Sequence, residues 1–263
     1  MSFASINGIE LYYESHGEGP PVVFAHGVGG NHVAWYQQVP FFARSFQTIT
    51  IDQRGFGRTE DVNDLGRGAF VDDMRALLDH LGIAKASLVA QSMGGGACMG
   101  FSVKYPERVS ALVMADTLVG ITMPEPIRTR QRERAETTRD LSQLERVVSK
   151  TLPLRDPAKA ELYLQIASFN PGNETRLTRT GGTAAEPITM EQVTAAAAKV
   201  PMLFLVGAED ILQPPEIVTA ASKLVPNAEL AIVPNAGHSA YFEQPELFNY
   251  LVSDFLSRHL PQE

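Results

Sequence analysis

Ala86-Ser87-Leu88-Val89-Ala90-Gln91-Ser92-Met93-Gly94-Gly95 decides how this chain folds. An apolar run leads into Gln91 and Ser92, and a small, glycine-rich apolar run follows. The stretch reads as a strand, a sharp turn with Ser92 at its tip, and a buried helix. A serine so placed stands clear of the sheet, with helix-end N–H groups behind it. This is the layout of a nucleophile elbow, whose pattern is Gly-x-Ser-x-Gly. Ala90 stands at the first glycine, so the pattern is met in part.

Similar apolar runs lie on both sides. Val22-Val23-Phe24-Ala25, Thr48-Ile49-Thr50-Ile51, Leu112-Val113-Met114-Ala115 and Met202-Leu203-Phe204-Leu205-Val206 do not alternate with polar residues. Strands covered on both faces look like this, as in a parallel sheet. The start differs: Ile9, Leu11 and Tyr13 alternate with Glu10, Tyr12 and Glu14, the period of a half-buried strand. Asn7-Gly8 before them is a hairpin turn signal, so 2–7 should pair with 9–15. Phe70, Val71, Met74, Leu77, Leu78 and Leu81 recur at helical spacing, with Gly82 as a stop. Leu247, Phe248, Leu251, Val252, Phe255 and Leu256 do the same between Pro245 and Pro261. Strand–helix alternation after an antiparallel start predicts an α/β sheet with helices on both faces.

One stretch breaks this rhythm. Residues 117–198 hold no convincing buried strand, but several helical patterns and two breaks, Asn170-Pro171-Gly172-Asn173 and Gly181-Gly182. More than eighty residues is too long for a simple loop. The expected organisation is a core of 1–116 and 199–263 with an inserted helical cap at 117–198.

The 263 residues carry a net charge of −8, which argues against a nucleic-acid partner. Arg128, Arg130, Arg132 and Arg134 are interleaved with Glu133 and Glu136, as on a solvated helix face. The single cysteine, Cys98, allows no intramolecular disulfide and suits a reducing compartment. No signal peptide is visible, and no apolar run approaches the roughly 20 residues of a membrane helix. The expectation is a soluble, cytoplasmic protein, a monomer or homodimer, acting on a small molecule.

A serine hydroxyl needs a base within reach, and the base needs an orienting acid. In open α/β sheets such groups gather at the carboxyl ends of strands. Asp210 follows the run ending at Val206, ahead of Pro214-Pro215. His238 follows the run Leu230–Val233, ahead of the last helix. Asp116, after Ala115, is a rival acid. An oxyanion is best held by fixed backbone N–H groups. Met93 N–H, directly after Ser92, is one. Val28 N–H, in the glycine-rich loop His26-Gly27-Val28-Gly29-Gly30, is the natural second. The order Ser92, Asp210, His238 is that of α/β-hydrolases rather than of chymotrypsin-like or subtilisin-like enzymes.

Five pieces now carry a resemblance over almost the whole chain: His26-Gly27, Asp52-Gln53-Arg54-Gly55-Phe56-Gly57-Arg58-Thr59, Gln91-Ser92-Met93-Gly94-Gly95, Gly207-Ala208-Glu209-Asp210 and Ala236-Gly237-His238. Together they resemble the α/β-hydrolase fold family of the compact, cap-bearing bacterial kind. Within it the chain looks like carboxylesterases, enol-lactonases, meta-cleavage-product hydrolases and cofactor-free haloperoxidases. The resemblance implies a mostly parallel eight-stranded sheet and a serine hydrolase of small esters or lactones. A C–C bond hydrolase of ring-fission products and a haloperoxidase or perhydrolase are the alternatives. A ligand-binding protein reusing the fold is the non-enzyme alternative. The Gly-x-x-Asp context favours Asp210 over Asp116, with geometry to decide. His26 is implied to hold the oxyanion loop, and Arg54 to pin a loop. Two departures are Ala90 in the elbow and Thr59, where many relatives have serine. No metal-ligand spacing, dinucleotide fingerprint or Walker lysine is present, so no cofactor is expected.

Overall fold

Asn7 and Gly8 both adopt positive φ, 47° and 74°, which closes a two-residue hairpin between β1 (Ser2–Ile6) and β2 (Ile9–His16). The computed structural model describes residues 2–172 and 185–260. Asn173, Gly181-Gly182 and Pro261, used above as breaks and stops, lie outside them. The remaining main strands are β3 (Pro21–Ala25), β4 (Gln47–Ile51), β5 (Ala86–Gln91), β6 (Val109–Ala115), β9 (Met202–Gly207) and β10 (Glu229–Val233). They form one eight-stranded sheet in the order β1-β2-β4-β3-β5-β6-β9-β10. β2 pairs antiparallel with β1 and β4, and every other pairing is parallel.

The unbroken apolar runs have a simple cause. Val23, Leu88, Ala90, Leu112, Met114, Phe204 and Val206 feed the hydrophobic core on one face of the sheet. Their neighbours Val22, Phe24, Val89, Val113, Leu203 and Leu205 feed the core on the other. Side chains alternate across a strand, so a strand covered twice must be apolar throughout. The helix Phe70–His80 packs its apolar stripe on the first core and ends before Gly82, at φ 67°. The helix Pro245–Arg258 packs on the second, with Pro245 in its first turn.

Between β6 and β9 the described residues are mostly helical: Ile127–Thr137, Gln143–Val147, Leu152–Arg155, Pro157–Ser168 and Met190–Ala197. The strands β7 (Ile121–Thr122) and β8 (Ile188–Thr189) pair parallel near the two ends of this insertion. Two residues each are too short to announce a periodicity. The arginine-rich helix Ile127–Thr137 is largely exposed, with Arg128 and Arg132 on Glu125. Asn170, just past the helix Pro157–Ser168, ties the insertion to the core. Its Oδ1 accepts from Gly57 N and its Nδ2 donates to the Gly30 carbonyl. Among the described residues no helix is long and apolar enough to cross a membrane.

The Ala90 departure fits without strain. Ala90 is fully buried and pairs with Ala25 on β3 and Met114 on β6. Closest approach falls four residues later: a methyl on Gly94 would lie 2.3 Å from the Ala25 carbonyl oxygen. Gly94→Ala must push the elbow helix off β3, costing about 2–3 kcal/mol and lowering Tm by roughly 5–10 °C. Thermal unfolding followed by circular dichroism checks this; a Tm within 2 °C (roughly 0.5–1 kcal/mol) of the parent would refute the close approach.

Candidate active site

The side chains singled out above as candidate nucleophile, base and acids sit at the carboxyl ends of the parallel strands, with His26. His26 directly follows β3, Ser92 β5 and Asp116 β6, while Asp210 and His238 lie in the loops after β9 and β10. Ser92 has φ +48°, a conformation that costs a non-glycine residue on the order of 1–3 kcal/mol. Neighbouring bonds hold it there. Ser92 N donates to the Ala115 carbonyl, and the Ser92 carbonyl accepts from Gly95 N and Thr117 Oγ1. The strain turns Oγ away from the sheet, towards His238.

His238 Nε2 lies 2.8 Å from Ser92 Oγ, and its Nδ1 lies 2.8 Å from Asp210 Oδ2. A carboxylate only accepts, so Nδ1 carries the proton. Nε2 is then free to accept from the serine hydroxyl. The other oxygen of Asp210 accepts from Leu212 N and Gln213 N, which fixes the carboxylate's orientation. Burial pulls the His238 pKa down, but the charge and hydrogen bond of Asp210 outweigh it and the net shift is upward.

Geometry separates the two candidate acids. Asp116 is fully buried, at φ +52°, and its oxygens accept from Gly207 N and Ala240 N rather than from His238. It ties the loops that carry Asp210 and His238. Burial, and then the nearby charge of Asp210, raise its carboxyl well above the ordinary range.

The loop His26–Gly30 is pressed against the elbow. A methyl on Gly27 would lie 2.1 Å from Gln91 Oε1 and 3.0 Å from Ser92 Cβ. His26 Nε2 accepts from Gln53 N, so its Nδ1 donates to the Gly27 carbonyl, and Gln53 Nε2 donates to the His26 carbonyl. His26 is thus a fastener of this loop. Val28 packs against the small cluster that holds Met93. Neither Val28 N nor Met93 N has an acceptor among the described residues. Arg54 makes a fully buried, two-pronged ion pair with Asp73, away from the serine. Thr59 Oγ1 accepts from Tyr12 N, and Cys98 is core. Among the described residues no group of three or more His, Cys, Asp or Glu could hold a metal.

Two residues of the site escaped the sequence. Gln91 donates to the His238 carbonyl at 2.7 Å, linking the elbow to the histidine loop. A polar residue ending an apolar strand was the available signal. Glu243 is buried next to that loop. Its carboxylate accepts from Gly237 N, Ser149 N, Ser149 Oγ and Arg155. Ser149 and Arg155 belong to the insertion, so Glu243 joins it to the residue preceding His238. In sequence it reads as an ordinary helix-surface glutamate.

A family model for the alpha/beta hydrolase fold matches residues 20–245. The chain belongs to the alpha/beta hydrolase family. It is 30% identical, over 95% of its length and 98% of the relative's, to a Mycobacterium tuberculosis protein named as a non-heme bromoperoxidase, BpoC. Among solved alpha/beta hydrolases it resembles a thermophilic esterase from Thermogutta terrifontis. That match has 29% identity and a TM-score of 0.79, covering 99% of this chain and 98% of the esterase. The enol-lactonase of Burkholderia xenovorans shares the fold at 23% identity and a TM-score of 0.81, covering 97% and 99%. The mostly parallel sheet and the family resemblance expected from the five motifs are therefore established.

Proposed function

We propose that the protein is a serine hydrolase that cleaves a small carboxylic ester or lactone through an acyl-enzyme. The observation that carries this reading is the unbroken hydrogen-bonded line from Ser92 Oγ through His238 to Asp210. Ser92 Oγ attacks the carbonyl carbon while His238 Nε2 takes its proton. Asp210 holds the ring in the required tautomer and stabilises the imidazolium. The N–H groups of Met93 and Val28 receive the oxyanion. The tetrahedral intermediate collapses, and His238 returns the proton to the departing alkoxide oxygen. A water, deprotonated by His238, then attacks the acyl carbonyl and releases the acid and Ser92. The inserted helices act as the cap that selects the substrate. Likeness to an esterase at 29% identity supports this reading over a binding role.

A fluorophosphonate probe tests it directly. The folded protein should gain one adduct, mapped by mass spectrometry to Ser92, and prior acid unfolding should prevent it. Folded protein that takes up no adduct at Ser92 would rule out an activated serine.

A further inference from the structure

The helix Pro157–Ser168 touches two loops of the site at once. Near its start, Arg155 donates to Glu243 Oε2 and to the Asn235 carbonyl, and Lys159 Nζ donates to the Glu243 carbonyl. Glu243 in turn accepts from Gly237 N, beside His238. Past the other end, Asn170 Nδ2 donates to the Gly30 carbonyl, and Asn31 Nδ2 donates to the Ile166 carbonyl. Gly30 and Asn31 continue the loop that carries Val28 N. Midway along the helix, the Tyr163 ring stands edge-on to Phe242 at 5.3 Å, and its hydroxyl meets the side chain of Ser239. A methyl on Gly29 would lie 2.8 Å from that same hydroxyl.

Twelve helical residues make a rod about 18 Å long. Its fastenings are internal. Glu243, Asn31 and Asn170 are all buried, so cutting one of these bonds leaves a buried partner unsatisfied. At Glu243 the acceptor is a carboxylate and one donor a guanidinium, the stronger class of hydrogen bond. From the sheet side Gln91 reaches the same two loops. Its Nε2 donates to the His238 carbonyl, and its Oε1 would lie 2.1 Å from a methyl on Gly27. The histidine loop and the glycine-rich loop are thus held from below by the elbow and from above by the helix.

We infer that the helix Pro157–Ser168 is a strut that sets the spacing between His238 and the Val28 N–H, with Glu243 and Asn170 as positioning residues at its two ends. This rests on the serine-hydrolase reading and gives the insertion a part in the reaction as well as in the choice of substrate. Neither residue touches the reacting atoms. Glu243 acts through Gly237 on the histidine, and Asn170 acts through Gly30 on the oxyanion donor.

The test is a double-substitution cycle read by the rate at which a fluorophosphonate labels Ser92, which needs no knowledge of the natural substrate. Glu243→Gln and Asn170→Ala should each slow labelling about five- to tenfold, the scale of one net hydrogen bond. Distant substitutions without a shared partner ordinarily multiply their effects on a rate. Through a strut they should not. Once one end is free, freeing the other costs little, and the double variant should label at about the rate of the slower single one. Ser149→Ala and Asn170→Ser are the milder cuts if a variant loses the parent's circular-dichroism spectrum. Losses that multiply to within about twofold, or single variants that label like the parent, would overturn the strut and leave the hydrolase reading. If the folded parent takes no label at Ser92, the hydrolase reading falls and the low-field proton resonance of His238 Nδ1 becomes the readout. A shift of that resonance in Asn170→Ala then keeps the strut, and an unmoved one sinks it as well.

Discussion

Ser92→Ala should lower kcat for ester hydrolysis by roughly four to six orders of magnitude while leaving the fold intact. Alanine keeps the Cβ, so the elbow's positive φ is no more strained than before. The backbone bonds to Ala115, Gly95 and Thr117 do not involve the hydroxyl. Only the Oγ contact with His238 is lost. What survives is the background expected of oxyanion donors and binding alone. Steady-state assays with p-nitrophenyl esters, beside a thermal melt, settle it. A variant that melts like the parent and keeps more than a few per cent of its rate would refute covalent catalysis at Ser92.

The second large effect separates the two aspartates. Asp210→Asn should cost about 10⁴-fold in kcat, because the amide N–H₂ can face Nδ1 and drive the proton onto Nε2. His238 then has no lone pair for the serine proton. The pH profile should move as well. His238 works as a base only when neutral, so activity rises with pH through its pKa. Asp210 holds that pKa above the ordinary histidine value against the pull of burial. Removing the charge should shift the acid limb of kcat/KM to lower pH. Asp116→Asn should cost about tenfold or less in kcat, with a stability loss of about 1–3 kcal/mol from the broken bond to a buried N–H. If Asp116→Asn proved the more damaging of the two, the acid would have to be reassigned.

The sheet was legible because its chemistry is local. A strand buried on both faces has to be apolar at every position, and Asn7-Gly8 has to turn. Ser92, Asp210 and His238 were legible because each follows a strand end. Between Asp116 and Asp210 that rule is silent, since both satisfy it, and the Gly-x-x-Asp context alone favoured Asp210. What divides them is that Gly207 N and Ala240 N, from two other loops, occupy the oxygens of Asp116. Glu243 was hidden for the same reason: only the packing of the insertion on the sheet gives it Ser149 and Arg155 as partners. Gly94 shows the converse: the position that breaks the expected pattern, Ala90, is relaxed, and the tight one obeys it.

The pairing of Ile121 with Ile188 and Thr122 with Thr189 brings the outgoing and returning chain side by side. Whatever lies between them departs from and comes back to one gate-post. That clasp fixes the roots of the insertion beside the ends of β6 and β9, while Ser149, Arg155 and Asn170 tie its body to the loops around the site. Under the proposed function, the segment that selects the substrate is mounted like a cartridge held by a few pins, and a change of specificity there has to keep those contacts in place.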